Sequence, residues 1–222
     1  MAWISFWITL KLALITTVLL LFIGICLSLW LSASERWYKS LIASLLNMPL
    51  ILPPTVLGFY LLILFNPNNF FGGAWVSLTG SGLNFSFSGL VIASIIYSLP
   101  FAVRPIQNSF ESVQKQAIGS AAMLGASYWD RFFSVLLPLS KKGILTSMVL
   151  VFAHTIGEFG VVLMVGGSIA GKTKVVSIEI FEQVEQLQYS QANQMALILM
   201  LFAFIVLFLV YLLNRKSNYN VF

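Results

Sequence analysis

The chain has 222 residues, of which 59% are hydrophobic and only 9% charged, and a mean hydropathy of +0.94. Soluble globular domains carry roughly 25% charged residues, so this composition excludes one and indicates a polytopic membrane protein. The formal charge of +5 comes from 12 Lys and Arg against 7 Asp and Glu, but the basic residues sit at the ends of apolar runs without an aromatic-interleaved stripe, which argues against a nucleic-acid surface.

Five apolar runs approach the roughly 20 residues needed to cross a bilayer: 12–31, 41–65, 87–103, 143–165 and 195–213. The first is too long for the core of a signal peptide and has no basic region before it, so it reads as a transmembrane helix although Ser32-Ala33-Ser34 offers small residues for cleavage. Cys26 lies within it, and one cysteine closes no intramolecular disulfide. The second run contains Pro49, Pro53 and Pro54 around Asn47 and Thr55. Several backbone hydrogen bonds are lost there, so the helix must kink or break, which at membrane depth requires protein or a water-lined cavity around it. Pro100 and Arg104 mark the end of the third. The fourth holds His154, Thr155, Gly157, Glu158 and Gly160, and intramembrane ionisable residues are costly enough to mark a functional site or a structural pairing. His154 and Glu158, four apart, share a helix face in this reading.

Lys and Arg orient the bundle, because short loops rich in them stay cytoplasmic. With the loop after the first run inside, that side collects Arg36, Lys39, Arg104, Lys115, Arg131, Lys141, Lys142, Arg215 and Lys216, against Lys172 and Lys174 outside. Lys11, at the edge of the first run, snorkels outward. The N-terminus is therefore expected outside and the C-terminus inside. The single domain 1–222 then has a cytoplasmic loop at 106–142 and an external segment at 166–194.

The loop carries the most informative residues. Small side chains from Ala117 to Ala122 allow close approach of another surface, and Gly125 permits a sharp break. From Ser127 onward Tyr128, Trp129, Phe132, Phe133, Val135 and Leu136 alternate with Asp130 and Arg131 as in a short amphipathic helix. Pro138 suits the first turn of the next helix. Lipid headgroups and a protein partner both remain as occupants of such a surface.

These residues resemble the cytoplasmic loop of bacterial ABC importer permeases, whose pattern is E-A-A-x3-G-x9-I-x-L-P. Ser120 stands for the acid and Val135 for the isoleucine, while Ala121, Ala122, Gly125, Leu137 and Pro138 match. The Leu-Pro-Pro-Thr-Val-Leu-Gly run at 52–58, Tyr-Ser-Leu-Pro-Phe at 97–101 and Gly-Glu-Phe-Gly at 157–160 are similar to the molybdate permease subfamily, with sulfate and tungstate permeases as close relatives. The resemblance implies an all-α type I importer permease in a bacterial inner membrane, working as a homodimer. It further implies cytoplasmic ATP-binding subunits docked at Ser120, Ala121, Ala122, Gly125, Tyr128, Val135, Leu137 and Pro138. A periplasmic or lipid-anchored molybdate-binding protein would dock outside, and Pro54, Thr55 and Gly58 are gate candidates. No cofactor, metal or catalytic group is expected, and the rival readings are a non-transporting membrane scaffold and a gradient-driven transporter, the latter lacking a visible inverted repeat.

Two features qualify that reading. Gly166-Gly167-Ser168-Ile169-Ala170-Gly171-Lys172-Thr173 satisfies the phosphate-loop pattern G-x4-G-K-[ST], but it follows an apolar span rather than a buried strand and falls outside. A Gly-rich external turn is expected. Glu158 would repel a dianion in a low-dielectric channel, so it is expected to be structural, paired with a cation or helix terminus, or else protonated near a gate. Glu179, Glu182 and Glu185 read as a solvated helix face.

Overall fold

The computed structural model describes residues 2–34, 36–113 and 117–216; Lys115 and the side chains of Arg215 and Lys216 lie outside what it describes. The described residues are helical with short connections: α1 (Ala2–Ser32), α2 (Trp37–Ile51), α3 (Pro54–Leu64), α4 (Phe70–Thr79), α5 (Phe87–Val113), α6 (Gly119–Met123), α7 (Tyr128–Leu139), α8 (Lys141–Ile156), α9 (Gly160–Gly166), α10 (Val176–Glu185) and α11 (Tyr189–Lys216). α1, α5 and α11 are each long and apolar enough to cross a membrane, and counting the bent pairs α2–α3 and α7–α8 raises the number of spans to five.

The core is a three-helix layer of α1, α5 and α8. α1 and α5 run parallel: Lys11 lies 4.8 Å over the Phe87 ring near their starts, and Ser28 Oγ donates to the Val103 carbonyl at 3.0 Å further along. α8 runs antiparallel to both, with Ser147 Oγ donating to the Ala102 carbonyl at 3.0 Å. Small residues set the spacing, since a Cβ at Gly24 would sit 3.2 Å from Ala102 Cβ, and one at Gly143 would sit 2.5 Å from Ser109 Cβ and 2.7 Å from the Pro105 carbonyl. α11 stands outside this layer, with only 11% of its apolar window buried.

Three boundaries differ from the sequence expectation. The third span does not stop at Pro100 and Arg104: α5 continues through Pro100 and Pro105 to Val113. The carbonyl left without a helical donor by Pro105 is that of Phe101, and the hydroxyls of Ser28 and Ser147 bind the neighbouring carbonyls of Val103 and Ala102, tying α1 and α8 to this stretch. The fourth span is not continuous but breaks after Ile156 and resumes at Gly160. There the Glu158 carbonyl accepts from Ser177 Oγ at 2.6 Å instead of from a helical amide. The apolar helix α4 also joins the list, held by a left-handed Gly80 (φ 71°) whose amide caps the Val76 carbonyl.

The second span is broken, with α2 and α3 meeting at 113°. Pro53 and Pro54 bring no amide hydrogens to the break, and the amides of Val56 and Leu57 turn back onto the Pro53 carbonyl at 3.0 and 3.2 Å. The pair nonetheless carries the chain across. Lys39 at its start touches Trp30 near the end of α1, and the Leu62 carbonyl near its finish accepts from Asn84 just before α5.

The tight α5–α8 contact predicts that Gly143→Ala forces the two helices apart and costs about 1–3 kcal/mol. Gly119→Ala, with nothing within 4 Å of an added Cβ, is expected to be neutral or slightly stabilising. Unfolding midpoints of the two purified variants in detergent test the difference.

Candidate functional site

One end of the bundle carries a protrusion built by local rules. α6 closes in a Schellman motif: the Ala126 amide bonds to the Ala121 carbonyl at 3.1 Å and the Gly125 amide to the Ala122 carbonyl at 3.0 Å, with Gly125 left-handed at φ 81°. No atom lies within 4 Å of a Cβ built on Gly125, so backbone conformation, not space, calls for glycine. Ser127 then starts α7 with a capping box: its hydroxyl accepts from the Asp130 amide at 3.2 Å, and its amide donates to Asp130 Oδ2 at 3.3 Å. Losing such a cap costs about 1 kcal/mol.

Between these two motifs the turn presents Met123 and Leu124, 89% and 88% exposed, with Tyr128, Trp129 and Phe133 exposed beside them on α7. Ser120, Ala122, Gly125 and Tyr128 are exposed on this protrusion, Ala121 and Val135 are half-buried, and Leu136 is buried against Ile106, Phe110 and Val113 of α5. Met123 and Leu124 were not singled out from the sequence. Two large apolar residues just before a glycine, in an otherwise small and polar stretch, were the available signal.

The alanine pair also needs a corrected register. In the family pattern three residues separate the alanines from the glycine, whereas only Met123 and Leu124 lie between Ala122 and Gly125. With the structurally required Gly125 as the anchor, Ser120 and Ala121 occupy the alanine positions and Gly119, not Ser120, occupies that of the acid.

α7 is unusual in its middle, where Arg131–Leu136 is π-helical. The Leu137 amide reaches the Phe132 carbonyl, which accommodates the donor missing at Pro138. Leu137 and Pro138 form the short α-helical turn after it, and the chain then bends by 63° at Ser140 into α8. The protrusion is thus hinged directly to the core.

The second constellation lies where the two broken helices meet. α3 packs on α9: a Cβ at Gly160 would stand 2.7 Å from Pro54 Cβ, and one at Gly58 would stand 2.7 Å from Met164 Cβ and 3.2 Å from Val161 Cα. Of the gate candidates, Pro54 and Gly58 therefore form this contact while Thr55 is exposed beside it. Behind it, Glu158 is 4% exposed and accepts from Ser94 Oγ at 2.7 Å, with no hydrogen bond to its Oε1. Among the described residues no cation pairs with it. His154 does not share its hydrogen bonds, because α8 ends at Ile156. Its Nδ1 instead meets Ser98 Oγ at 2.9 Å, and its ring stacks on Phe101 with centroids 4.2 Å apart. Ser94 and Ser98, four apart on α5, match Glu158 and His154 in antiparallel register, a spacing already present in the sequence.

The phosphate-loop look-alike folds on itself. Thr173 is buried, its hydroxyl donating to the Gly166 carbonyl at 2.7 Å and accepting from the Ile169 amide at 3.2 Å, and the next helix begins only at Val176. It sits at the end opposite the protrusion, where Ser5 of α1 donates to Glu179 at 3.0 Å and Lys174 bridges Glu182 at 2.6 Å. Arg36, Lys39, Arg104, Arg131, Lys141 and Lys142 fall instead in the half that carries the protrusion. The expected solvated face is therefore partly engaged: Glu179 and Glu182 hold Lys174, and Glu185 is exposed.

The family model described as "Binding-protein-dependent transport system inner membrane component" matches residues 21–219. The molybdenum transport system permease protein of Azotobacter vinelandii is 47% identical over 94% of this chain and 92% of its own length. That of Haemophilus influenzae is 36% identical over 84% and 80%, and the sulfate transport system permease protein of Escherichia coli is 30% identical over 82% and 66%. A chain of the bacterial alginate ABC transporter, solved in complex with an alginate pentasaccharide-bound periplasmic protein, superposes with a TM-score of 0.78 at 15% identity, over 97% of this chain and 79% of that one. At that identity the match speaks for the fold alone.

Two predictions follow from the geometry. With no cation opposite Glu158, Glu158→Gln should leave the monodisperse yield in detergent unchanged, whereas Glu158→Lys, which introduces a buried charge, should abolish it. At the opposite end, burial raises the Glu182 carboxyl, but the hydrogen bonds from Lys174 and Ser168 and the charge of Lys174 outweigh it and hold the group below its ordinary value. The bridge therefore contributes above the ordinary carboxylate range and is lost as pH falls through the folded value, by a small amount at this partly exposed site. A spin label at Ala170→Cys in a Cys26→Ser background should gain mobility as pH falls below the ordinary carboxylate range, and Glu182→Gln should flatten that profile.

Proposed function

Because the chain belongs to the family of inner-membrane components of binding-protein-dependent transport systems, we propose that it is the permease of an ATP-driven importer whose cargo is molybdate. The observation that carries the mechanism is the hinged apolar protrusion of Met123, Leu124, Tyr128, Trp129 and Phe133 in the basic half of the bundle. Basic ends are retained in the cytoplasm, so the protrusion is the docking element for the ATP-binding subunits, the N-terminus is outside and the C-terminus inside. The end bearing Lys174, Glu179 and Glu182 faces outward and receives the anion-binding protein.

Two copies line one pathway, and motion starts at the protrusion. Closure of the ATP-binding subunits displaces Met123 and Leu124. The capped turn transmits the displacement to α7 as a lever, and the bend at Ser140 passes it to α8. α8 ends at the break before Glu158, where α9 rides on α3 through Gly160 and Gly58, so rotation of α8 shifts the contact around Pro54 and Thr55. Backbone dipoles and hydroxyls there suit a tetrahedral dianion that must leave again. Glu158, buried behind the contact, keeps the break anchored to α5 through Ser94 and takes no part in binding the anion. Molybdate is favoured over sulfate because the molybdenum permease relative is 47% identical and the sulfate permease relative 30%.

The test is reconstitution with the ATP-binding subunit and the binding protein. Met123→Asp and Leu124→Asp are expected to lose co-purification of the ATPase and ATP-dependent molybdate uptake, while Phe70→Asp, 95% exposed on α4, keeps co-purification. Retention of the ATPase by both protrusion variants would overturn the docking role, and uptake abolished by equimolar sulfate would overturn the assignment of cargo.

A further inference from the structure

A recess of about 110 Å³ opens where the last turn of α1 meets α7. Leu29, Ala33, Ile118, Phe132 and Leu136 make its apolar walls, and Tyr128 and Arg131 complete its lining. We propose that this recess is a binding site for an anionic phospholipid, an acyl chain filling the apolar pocket and the head-group phosphate meeting Arg131.

Depth, charge and position point to this occupant. Trp30, next to Leu29, lies 6.2 Å from the Tyr38 ring and carries the Lys39 ammonium 4.9 Å over its own ring, and Trp37 packs edge-on against Tyr38. Such an aromatic and basic collar marks the head-group level of a membrane, and Leu29 and Ala33 lie on the same turn of α1. The recess is therefore at the depth where phosphate and the first methylenes of a lipid meet.

The charge at that depth is positive. Among the described residues, the one hydrogen bond of the Arg131 guanidinium runs from Nε to the Ser127 carbonyl at 3.3 Å, which leaves its η nitrogens for a planar two-point contact with phosphate. The adjacent Asp130 carboxylate is engaged by the Ser127 amide and hydroxyl. Arg36 adds positive charge to the same end, where the Lys39 ammonium is buried against Trp30, and basic residues near the membrane surface attract anionic head groups.

Position separates this recess from the docking surface. Its floor, Leu136, is buried against α5, and of the side chains proposed to meet the ATPase only Tyr128 also lines it, whereas Met123, Leu124, Trp129 and Phe133 do not. A lipid seated here would bridge the fixed end of α1 and the lever α7, making coupling depend on the composition of the membrane. The site requires the basic end to lie at a membrane surface and does not depend on the cargo.

The test uses the full chain in liposomes of phosphatidylcholine and phosphatidylglycerol in equal amounts, extracted into detergent and examined by native mass spectrometry. Wild type is expected to retain phosphatidylglycerol in preference to phosphatidylcholine. Arg131→Gln should lower that retention by about fivefold, the scale of one basic contact with an anionic lipid, and Arg131→Lys should keep most of it. Ala33→Phe, which fills the recess, should lower retention with the charge intact. Equal retention of the two lipids, or retention unaffected by both Arg131→Gln and Ala33→Phe, would overturn the proposal. These readouts need no transport, so they stand or fall apart from the importer assignment.

Discussion

Two helices break in apolar segments of this chain, and each break is covered by the other. The contact of Gly160 with Pro54, and of Gly58 with Met164 and Val161, brings α9 and α3 closer than side chains would permit. In hydrocarbon an exposed, unpaired backbone group costs several kcal/mol, so a broken helix persists only when something polar or proteinaceous closes over it. Here the prolines at one break bring no amide hydrogens, the Glu158 carbonyl at the other is met by Ser177, and glycine lets the two approach. The remaining architecture holds this junction in place from behind.

The supporting layer is unusually dependent on small and hydroxylated residues. Gly24, Gly143, Ser28 and Ser147 join α1, α5 and α8 at short range around the prolines of α5. Lipid tails are as apolar as leucine, so membrane helices gain little from the hydrophobic effect on associating and rely on close packing and interhelical hydrogen bonds. That accounts for a polar file of Ser94, Ser98, His154 and Glu158 between α5 and the end of α8, satisfied largely within itself. It also explains how a rigid core and a hinged lever coexist: the π-helical stretch Arg131–Leu136 and the 63° bend lie in α7 and at its junction with α8, at the edge of the tight layer.

The protrusion follows a different logic. Its tip is shaped by local rules, a Schellman turn at Gly125 and a capping box at Ser127 and Asp130, while Ile118, Phe132 and Leu136 pack its base against α1 and α5. A surface made by local backbone geometry keeps its form when the bundle beneath it moves. That property suits a docking element which must transmit displacement without being remodelled by it.

Much of this was legible from residue order. Apolar run length indicated spans, Pro49, Pro53 and Pro54 announced a break, the Lys and Arg distribution marked one end as distinct, and Gly125 marked a sharp turn; these are local or one-dimensional quantities, dictated by each residue's own chemistry. The family resemblance was carried by short motifs of the same kind. The continuation of α5 through Pro105 was not legible, because a proline allows a helix either to kink or to end, and the helices that pack around this stretch, through Ser28 and Ser147 among others, lie about 75 and 45 residues away. Nor was the break at Glu158, since glycine permits a helix to stop without requiring it, and Ser177 decides the matter from another element. His154 and Glu158 share a face only if the helix continues, and tertiary contacts ended it one turn too soon. By itself the sequence determined which segments enter the membrane and where the backbone is free to bend; only the folded chain decided which bends are used, because the groups that satisfy a broken backbone in hydrocarbon come from helices distant in sequence.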